Sequence, residues 1–212
     1  MSFNFSKEKA LNQFKELKKY SNIAKSSGMQ LAAESWSEDW QTLISILLSE
    51  RTRDEVTIPT AAKLFKKYPS IEKLSKAKLS DLENTIRSVN FYRNKSKNVS
   101  ALAKMVKSDY SGKIPIDFEE LVKLPGVGRK TANVFLSQKG KSEIGIDTHV
   151  EYISKKLGWT SGKNQEKIET DLKNLFPEKY WVDVNATLVR FGKTHTSRKK
   201  KDLMLEQIKK IK

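Results

Sequence analysis

Trp40, Leu43, Ile44, Leu47 and Leu48 recur at i, i+3, i+4, i+7 and i+8, a spacing that an α-helix gathers onto one face and a strand does not. Ser35 and Glu38 stand at capping-box spacing just ahead of the stripe, so a helix central to a core is predicted to begin there. Trp36 and Trp40 read as packing residues of that helix rather than as platforms for stacked bases. The same period governs most of the 212 residues, and only nine glycines and five prolines interrupt it. A second helix is predicted over 56–68, with Pro59 in its first turn and Pro69 at its end. Short helices follow around 70–76 and 80–88, then a longer one over 94–109 and a break at 111–115. Asp117 and Glu120 open a short helix that Pro125 must stop, and another runs over 128–138 with Gly140 just past its end. Residues 144–146 read as extended, and Asp147 starts a helix that runs through Lys156 to Gly158. Helices around 166–175 and 179–191 come next, and the basic run 198–201 precedes a last one near 203–211. Roughly ten helices and no convincing sheet make the class all-α.

Lys and Arg number 41 against 25 Asp and Glu, a net charge of +16. So large a surplus fits a polyanionic partner, because each lysine that meets a phosphate releases condensed counterions. It fits lysine-rich, solvated helix faces as well. The chain has no cysteine, which excludes disulfides, thiolate zinc sites and cysteine-ligated iron–sulfur clusters. The first residues lack the apolar core of a signal peptide. The longest aliphatic run, 43–48 with Ser45 inside it, is far short of a membrane span. A soluble, intracellular protein with no membrane partner is expected.

Leu124-Pro-Gly-Val-Gly-Arg-Lys-Thr-Ala132 joins two helical stretches by a Gly-x-Gly turn, a helix-hairpin-helix. Glycine at 126 and 128 permits positive φ and close approach of another backbone. Successive amides at such a turn, aimed with the next helix's N-terminus, form a nest for a phosphate and grip a nucleic-acid backbone without reading sequence. Pro125 stiffens the turn, Val127 at its tip is expected against a sugar–phosphate edge, and Arg129 adds charge.

Lys130 falls in the first turn of the helix after the hairpin, where the helix's positive end and the nearby cations disfavour an ammonium ion. A neutral lysine amine attacks carbon electrophiles to form a Schiff base; a charged one is simply another phosphate contact. Asp147, 17 residues on in Ile146-Asp-Thr-His149 (147 − 130 = 17), is either an ordinary N-cap or the carboxylate that stabilises a sugar as its base departs. One residue can do both, since capping fixes a carboxylate in place.

Four collinear segments carry a resemblance: Leu47-Leu-Ser-Glu-Arg-Thr-Arg-Asp54, Phe91-Tyr-Arg-Asn-Lys95, Leu124-Pro-Gly-Val-Gly-Arg-Lys-Thr-Ala-Asn133 and Ile146-Asp-Thr-His149. Together they resemble the endonuclease III family of the helix-hairpin-helix DNA glycosylase superfamily. The resemblance implies two helical domains with an active-site cleft between them: a six-helix barrel over 32–142, and a second domain of 1–31 with 143–212. It implies a bifunctional DNA glycosylase and abasic-site lyase of base-excision repair that flips a damaged, oxidised pyrimidine out of duplex DNA. Lys130 is then the nucleophile and Asp147 the second catalytic residue. DNA contacts are expected from Leu124, Gly126, Val127, Gly128, Arg129, Thr131, Arg51 and His149.

The chain departs from the family pattern twice. Members commonly end in a four-cysteine iron–sulfur loop, and here the region is Thr194-His-Thr-Ser-Arg-Lys-Lys-Lys-Asp202, without a cysteine. No cluster, metal or other cofactor is therefore expected, His195 alone makes no replacement site, and a basic helical tail is expected to take over the loop's packing and phosphate contacts. Arg51 occupies a position where many members carry a gap-filling glutamine, and it either fills that gap or holds a phosphate. The expected partner is double-stranded DNA with a damaged base or abasic site, met by a monomer in the cytoplasm or nucleoid if the source is prokaryotic. A glycosylase for mismatched or deaminated bases or oxidised purines, and a non-catalytic DNA-binding module, are the alternatives.

Overall fold

In the computed structural model, which describes residues 6–34 and 36–212, every regular element is helical. In chain order the helices are α1 (Lys7–Ser26), α2 (Asp39–Ser49), α3 (Asp54–Lys67), α4 (Ile71–Ser75), α5 (Leu79–Thr85) and α6 (Tyr92–Asp109). They continue as α7 (Phe118–Leu121), α8 (Arg129–Gln138), α9 (Thr148–Leu157), α10 (Gln165–Leu175), α11 (Trp181–Thr194) and α12 (Arg198–Lys209). The twelve exceed the expected ten or so, and Glu178–Tyr180 adds a single 3-10 turn at the entry to α11. Two compact units result, one of Gln30–Lys139 and one of Met1–Met29 with Gly140–Lys212.

The Gln30–Lys139 unit is built on α2, in which Trp40 and every residue from Thr42 to Leu48 is buried. A helix buried all round must be covered on every side, and α3, α6 and α8 pack against it. Trp36 and Trp40 both set their rings edge-on to Phe65, at 4.9 and 5.1 Å between centroids, and the Trp36 indole donates to Ala32 O at 2.7 Å. They are packing residues, as expected. Seven helical segments rather than six make this unit, the extra one being the four-residue α7 that Asp117 caps and Pro125 cuts short.

Several element starts differ from expectation for local reasons. α2 begins at Asp39 under a capping box of Glu38 and Gln41; Ser35 lies outside the described residues. α3 begins at Asp54, so Pro59 falls in its second turn, where its exposure lets water meet the carbonyl left free. The basic run 198–201 does not precede the last helix but forms its first turn, capped by the Ser197 hydroxyl. Four cations at the positive end of a helix oppose its dipole, yet Leu205 and Ile208 on the same helix are 1% and 3% exposed and dock it in place.

The second unit packs α1, α9, α11 and α12 around Phe14, Leu17, Trp159, Phe176 and Phe191. Trp159 is fully buried, and its indole N–H donates to Gln13 Oε1 at 2.7 Å. A buried indole needs such an acceptor. Gln13→Ala is expected to cost about 1–3 kcal/mol of stability by stranding that donor, measured by denaturant unfolding; an unchanged midpoint would contradict this accounting.

Candidate active site

The hairpin between α7 and α8 is held by two tight turns, Leu124 N–H to Leu121 O and Val127 N–H to Leu124 O, both 3.0 Å. Gly126 sits at φ +81°, and a Cβ there would come within 2.7 Å of Asn98 Nδ2 and 2.9 Å of Asn98 Cβ on α6. Left-handed backbone and close approach thus coincide at this one glycine. Gly128 is different: its φ is −93° and nothing lies within 4 Å of an added Cβ. Positive φ was expected at both and occurs at 126 only, whereas Gly128 contributes open space in front of α8. As N-cap it offers no side-chain oxygen, so the first amides of α8 have no side-chain cap.

Around that opening the named residues divide. Leu124 and Val127 are 2% and 5% exposed with their side chains in the core. Val127 was expected against a sugar–phosphate edge; its isopropyl group lies in the core, where burial is the stronger preference. Thr131 is fully buried, and its hydroxyl donates to Glu50 Oε1 at 3.0 Å. Arg129 lies with its guanidinium 4.8 Å above the Phe118 ring. Lys130, the second residue of α8, is half-buried.

Near Lys130 lies a residue the sequence reading passed over. Lys95 on α6 is 5% exposed, and its Nζ donates to Leu48 O at 2.7 Å, Glu50 O at 2.6 Å and Thr52 Oγ1 at 3.2 Å. Burial pushes the Lys95 ammonium down to about 8 from its ordinary 10.5, the Glu50 carboxylate opposing the fall and the Lys130 charge adding to it. The signal was present in sequence: Lys95 lies four residues before Val99, in register with the buried stripe Val99, Leu102, Ala103 and Val106.

The loop that Lys95 anchors carries Arg51 in left-handed backbone at φ +53°, and Phe91 faces it from the turn before α6 at φ +58°. The Arg51 guanidinium stacks 5.2 Å from the Phe91 ring centroid. Asn90 locks the two turns, its amide nitrogen bonding Thr52 Oγ1 at 3.0 Å and its side chain bonding Arg51 O. Phe91 is 56% exposed. A large aromatic held outward on strained backbone is paid for by nothing in its own packing.

In the other unit Asp147 caps α9, its Oδ1 accepting from His149 N at 2.9 Å and Val150 N at 2.8 Å. His149 packs against Gly192 of α11, where a Cβ would stand 2.3 Å from its Nδ1. Gly192 is therefore the seat of that imidazole, and nothing in sequence linked the two. The stretch Thr194–Asp202 does not fit an iron–sulfur cluster. It has no thiolate, and its one imidazole is engaged: His195 packs 4.6 Å from Phe191, with Nδ1 3.0 Å from Phe191 O. No group of three or more His, Asp or Glu side chains suited to a metal occurs among the described residues. Instead Tyr152 hydrogen-bonds Asp202, with Arg198 and Lys201 over its ring, and so ties α12 to α9. No described helix is long and apolar enough to cross a membrane.

Two measurements follow from this geometry. Between about 8 and 10.5 the folded protein binds fewer protons at Lys95 than the unfolded chain does, so this group makes stability rise with pH across that window. Unfolding free energy of the wild type relative to Lys95→Met should accordingly increase from pH 8 to 10.5, and a flat difference would refute the buried ammonium. Gly192→Ala should unseat His149, seen as a shifted histidine ring resonance in NMR spectra with the helical circular dichroism retained.

Residues 44–178 match the family model described as "HhH-GPD superfamily base excision DNA repair protein". The chain is 41% identical to endonuclease III of Thermotoga maritima over 158 residues, 74% of each chain. It is 39% identical to endonuclease III of Bacillus subtilis over 161 residues, 75% of this chain and 74% of that one. Among solved structures, one described as a trapped endonuclease III–DNA covalent intermediate in an estranged-adenine complex superposes with a TM-score of 0.82 at 32% identity. That match covers 92% of this chain and 89% of the other.

Proposed function

This chain belongs to the endonuclease III family of the HhH-GPD superfamily of base excision DNA repair proteins, and from that premise we propose how its residues act on DNA. It is a DNA N-glycosylase and abasic-site lyase, and its substrate is duplex DNA carrying an oxidised or ring-saturated pyrimidine. A duplex hides the sugar carbon, so the damaged nucleotide must leave the stack before chemistry begins, and a damaged base unstacks at lower cost.

Lys130 is the nucleophile. The neutral amine gives its lone pair to C1′ as the N-glycosidic bond breaks, and the bonding pair leaves with the base, which takes up a proton. Opening of the sugar ring and loss of the amine's proton give an imine at C1′. Removal of a C2′ proton then expels the 3′ phosphate, which nicks the strand, and water returns the lysine. Asp147 stabilises the positive charge that develops on the sugar as the base departs. What supports Lys130 is its half-buried position at the open, uncapped N-terminus of α8, directly after the hairpin. What supports Asp147 is a carboxylate fixed by two backbone bonds through one oxygen only.

The backbone amides of Gly126, Gly128 and Lys130 hold a phosphate beside the hairpin, with Gly128 leaving room for it. Arg51 and Phe91 enter the base stack where the nucleotide has left, the cation reading the orphaned base and the ring stacking on its neighbour. His149 contacts the backbone from its seat on Gly192. The chemistry uses organic groups throughout and takes no cluster; with no cysteine, α12 and its tie to Tyr152 do the structural work of a cluster loop. Such a protein works inside the cell, on DNA.

Base release and strand nicking on a panel of duplexes, each with one modified base, tests this reading. Dihydrouracil should be released and the strand nicked, with both activities lost in Lys130→Gln by a factor of about 1,000 or more, the scale of losing an essential nucleophile. Release of a mismatched or purine lesion with dihydrouracil untouched would contradict the substrate, and nicking retained by Lys130→Gln would contradict the nucleophile.

A further inference from the structure

The fastening of Lys95 asks for a purpose. A lysine among the least exposed side chains of α6 has all three N–H donors on oxygens of a single turn: Leu48 O, Glu50 O and Thr52 Oγ1. The ammonium supplies one donor to each of the three oxygens, and in that form the nitrogen has no lone pair for chemistry. Glu50 meets Lys95 through its carbonyl and turns its carboxylate to the Thr131 hydroxyl, one residue beyond Lys130. A buried charge thus stands at the junction of three segments: the end of α2, the start of α6 and the start of α8.

We propose that Lys95 is a positioning residue for the nucleophilic step: its ammonium fastens the turn carrying Glu50 and Arg51, and through the Glu50 carboxylate on Thr131 it holds the foot of α8 on which Lys130 stands. This rests on Lys130 being the nucleophile. The charges acting on Lys95 are Glu50, from the turn after α2, and Lys130, from α8. The buried residues of α2 carry no charge, and α4 and α5, also packed on α6, add none to that pair. As pH climbs past about 8 the Lys95 charge is itself lost, and with it one of the three bonds that hold the Arg51 turn.

The test is the rate of cyanoborohydride trapping on an abasic-site duplex, followed from about pH 5 to pH 9. Lys95→Gln keeps amide donors and loses the charge, Lys95→Met loses both, and Lys95→Arg keeps the charge. Trapping at neutral pH should fall about tenfold in the glutamine and methionine variants. The wild-type rate should decline above about pH 8, where the Lys95 charge is lost, and the arginine variant should keep the neutral rate and lack that decline. Thermal melts identify folded variants, and if the neutral ones do not fold, the arginine profile decides. Wild-type rates in the folded glutamine or methionine variant, or the same decline in arginine, would overturn the proposal. Lys130→Gln, run alongside, separates the two readings: if it still traps, the nucleophile assignment falls and this proposal with it. If it is silent while the Lys95 variants behave as wild type, this proposal fails alone.

Discussion

A helix buried through most of its length must still satisfy the carbonyls at its C-terminus: in α2 the Ser49 hydroxyl meets Ile46 O, backbone amides meet Leu47 O and Ser49 O, and the Lys95 ammonium meets Leu48 O. Lys95 reaches from α6 to Leu48 O and Glu50 O, where α2 ends inside the core. Apolar packing could not close that end, because an unmet buried carbonyl costs about as much as a lost hydrogen bond. Burying a lysine is expensive too, which is why its proton is held so much more loosely than usual. The anchoring has consequences beyond α2. The chain leaves the helix into a left-handed turn at Arg51 and meets a second one at Phe91, and Asn90 joins them. Strained backbone of this kind persists only where the surroundings over-determine it.

The hairpin before α8 follows the same logic with different means. Gly126 accepts a contact with Asn98 that a side chain would forbid, and Gly128 leaves the helix mouth open. One glycine is required by packing, and the other leaves open space before the helix. In the unit that carries Asp147, a missing side chain again does the positioning, since Gly192 gives His149 its seat. The C-terminal helix is docked by Leu205 and Ile208, which enter the core, and by Tyr152, which binds Asp202.

Much of this was legible in the sequence, and the misses have causes. Period alone identified the buried stripe of α2, and glycine with proline marked the hairpin. The resemblance carried by four short segments led to the family that the comparisons establish. Helix starts were less legible where two signals competed. Ser197 caps a turn of four cations that the dipole disfavours, so the charge run concealed the start of α12. Expecting a side chain at Val127 to face DNA ignored that an isopropyl group next to a core will enter it. Lys95 was overlooked because lysines are read as surface residues, although its register with Val99 placed it inward. The seat of His149 on Gly192 joins residues more than forty positions apart, and no local pattern announces such a contact.

The account turns on which of two neighbouring lysines does chemistry. Lys95 has the lowered proton affinity but no free lone pair, and Lys130 has the open helix mouth. Reducing the adduct formed with dihydrouracil duplex and mapping the modified lysine by peptide mass spectrometry distinguishes them directly. The sugar remnant is predicted on Lys130 alone. Its appearance on Lys95, or on the N-terminal amine, would contradict the division of labour on which the whole mechanism rests.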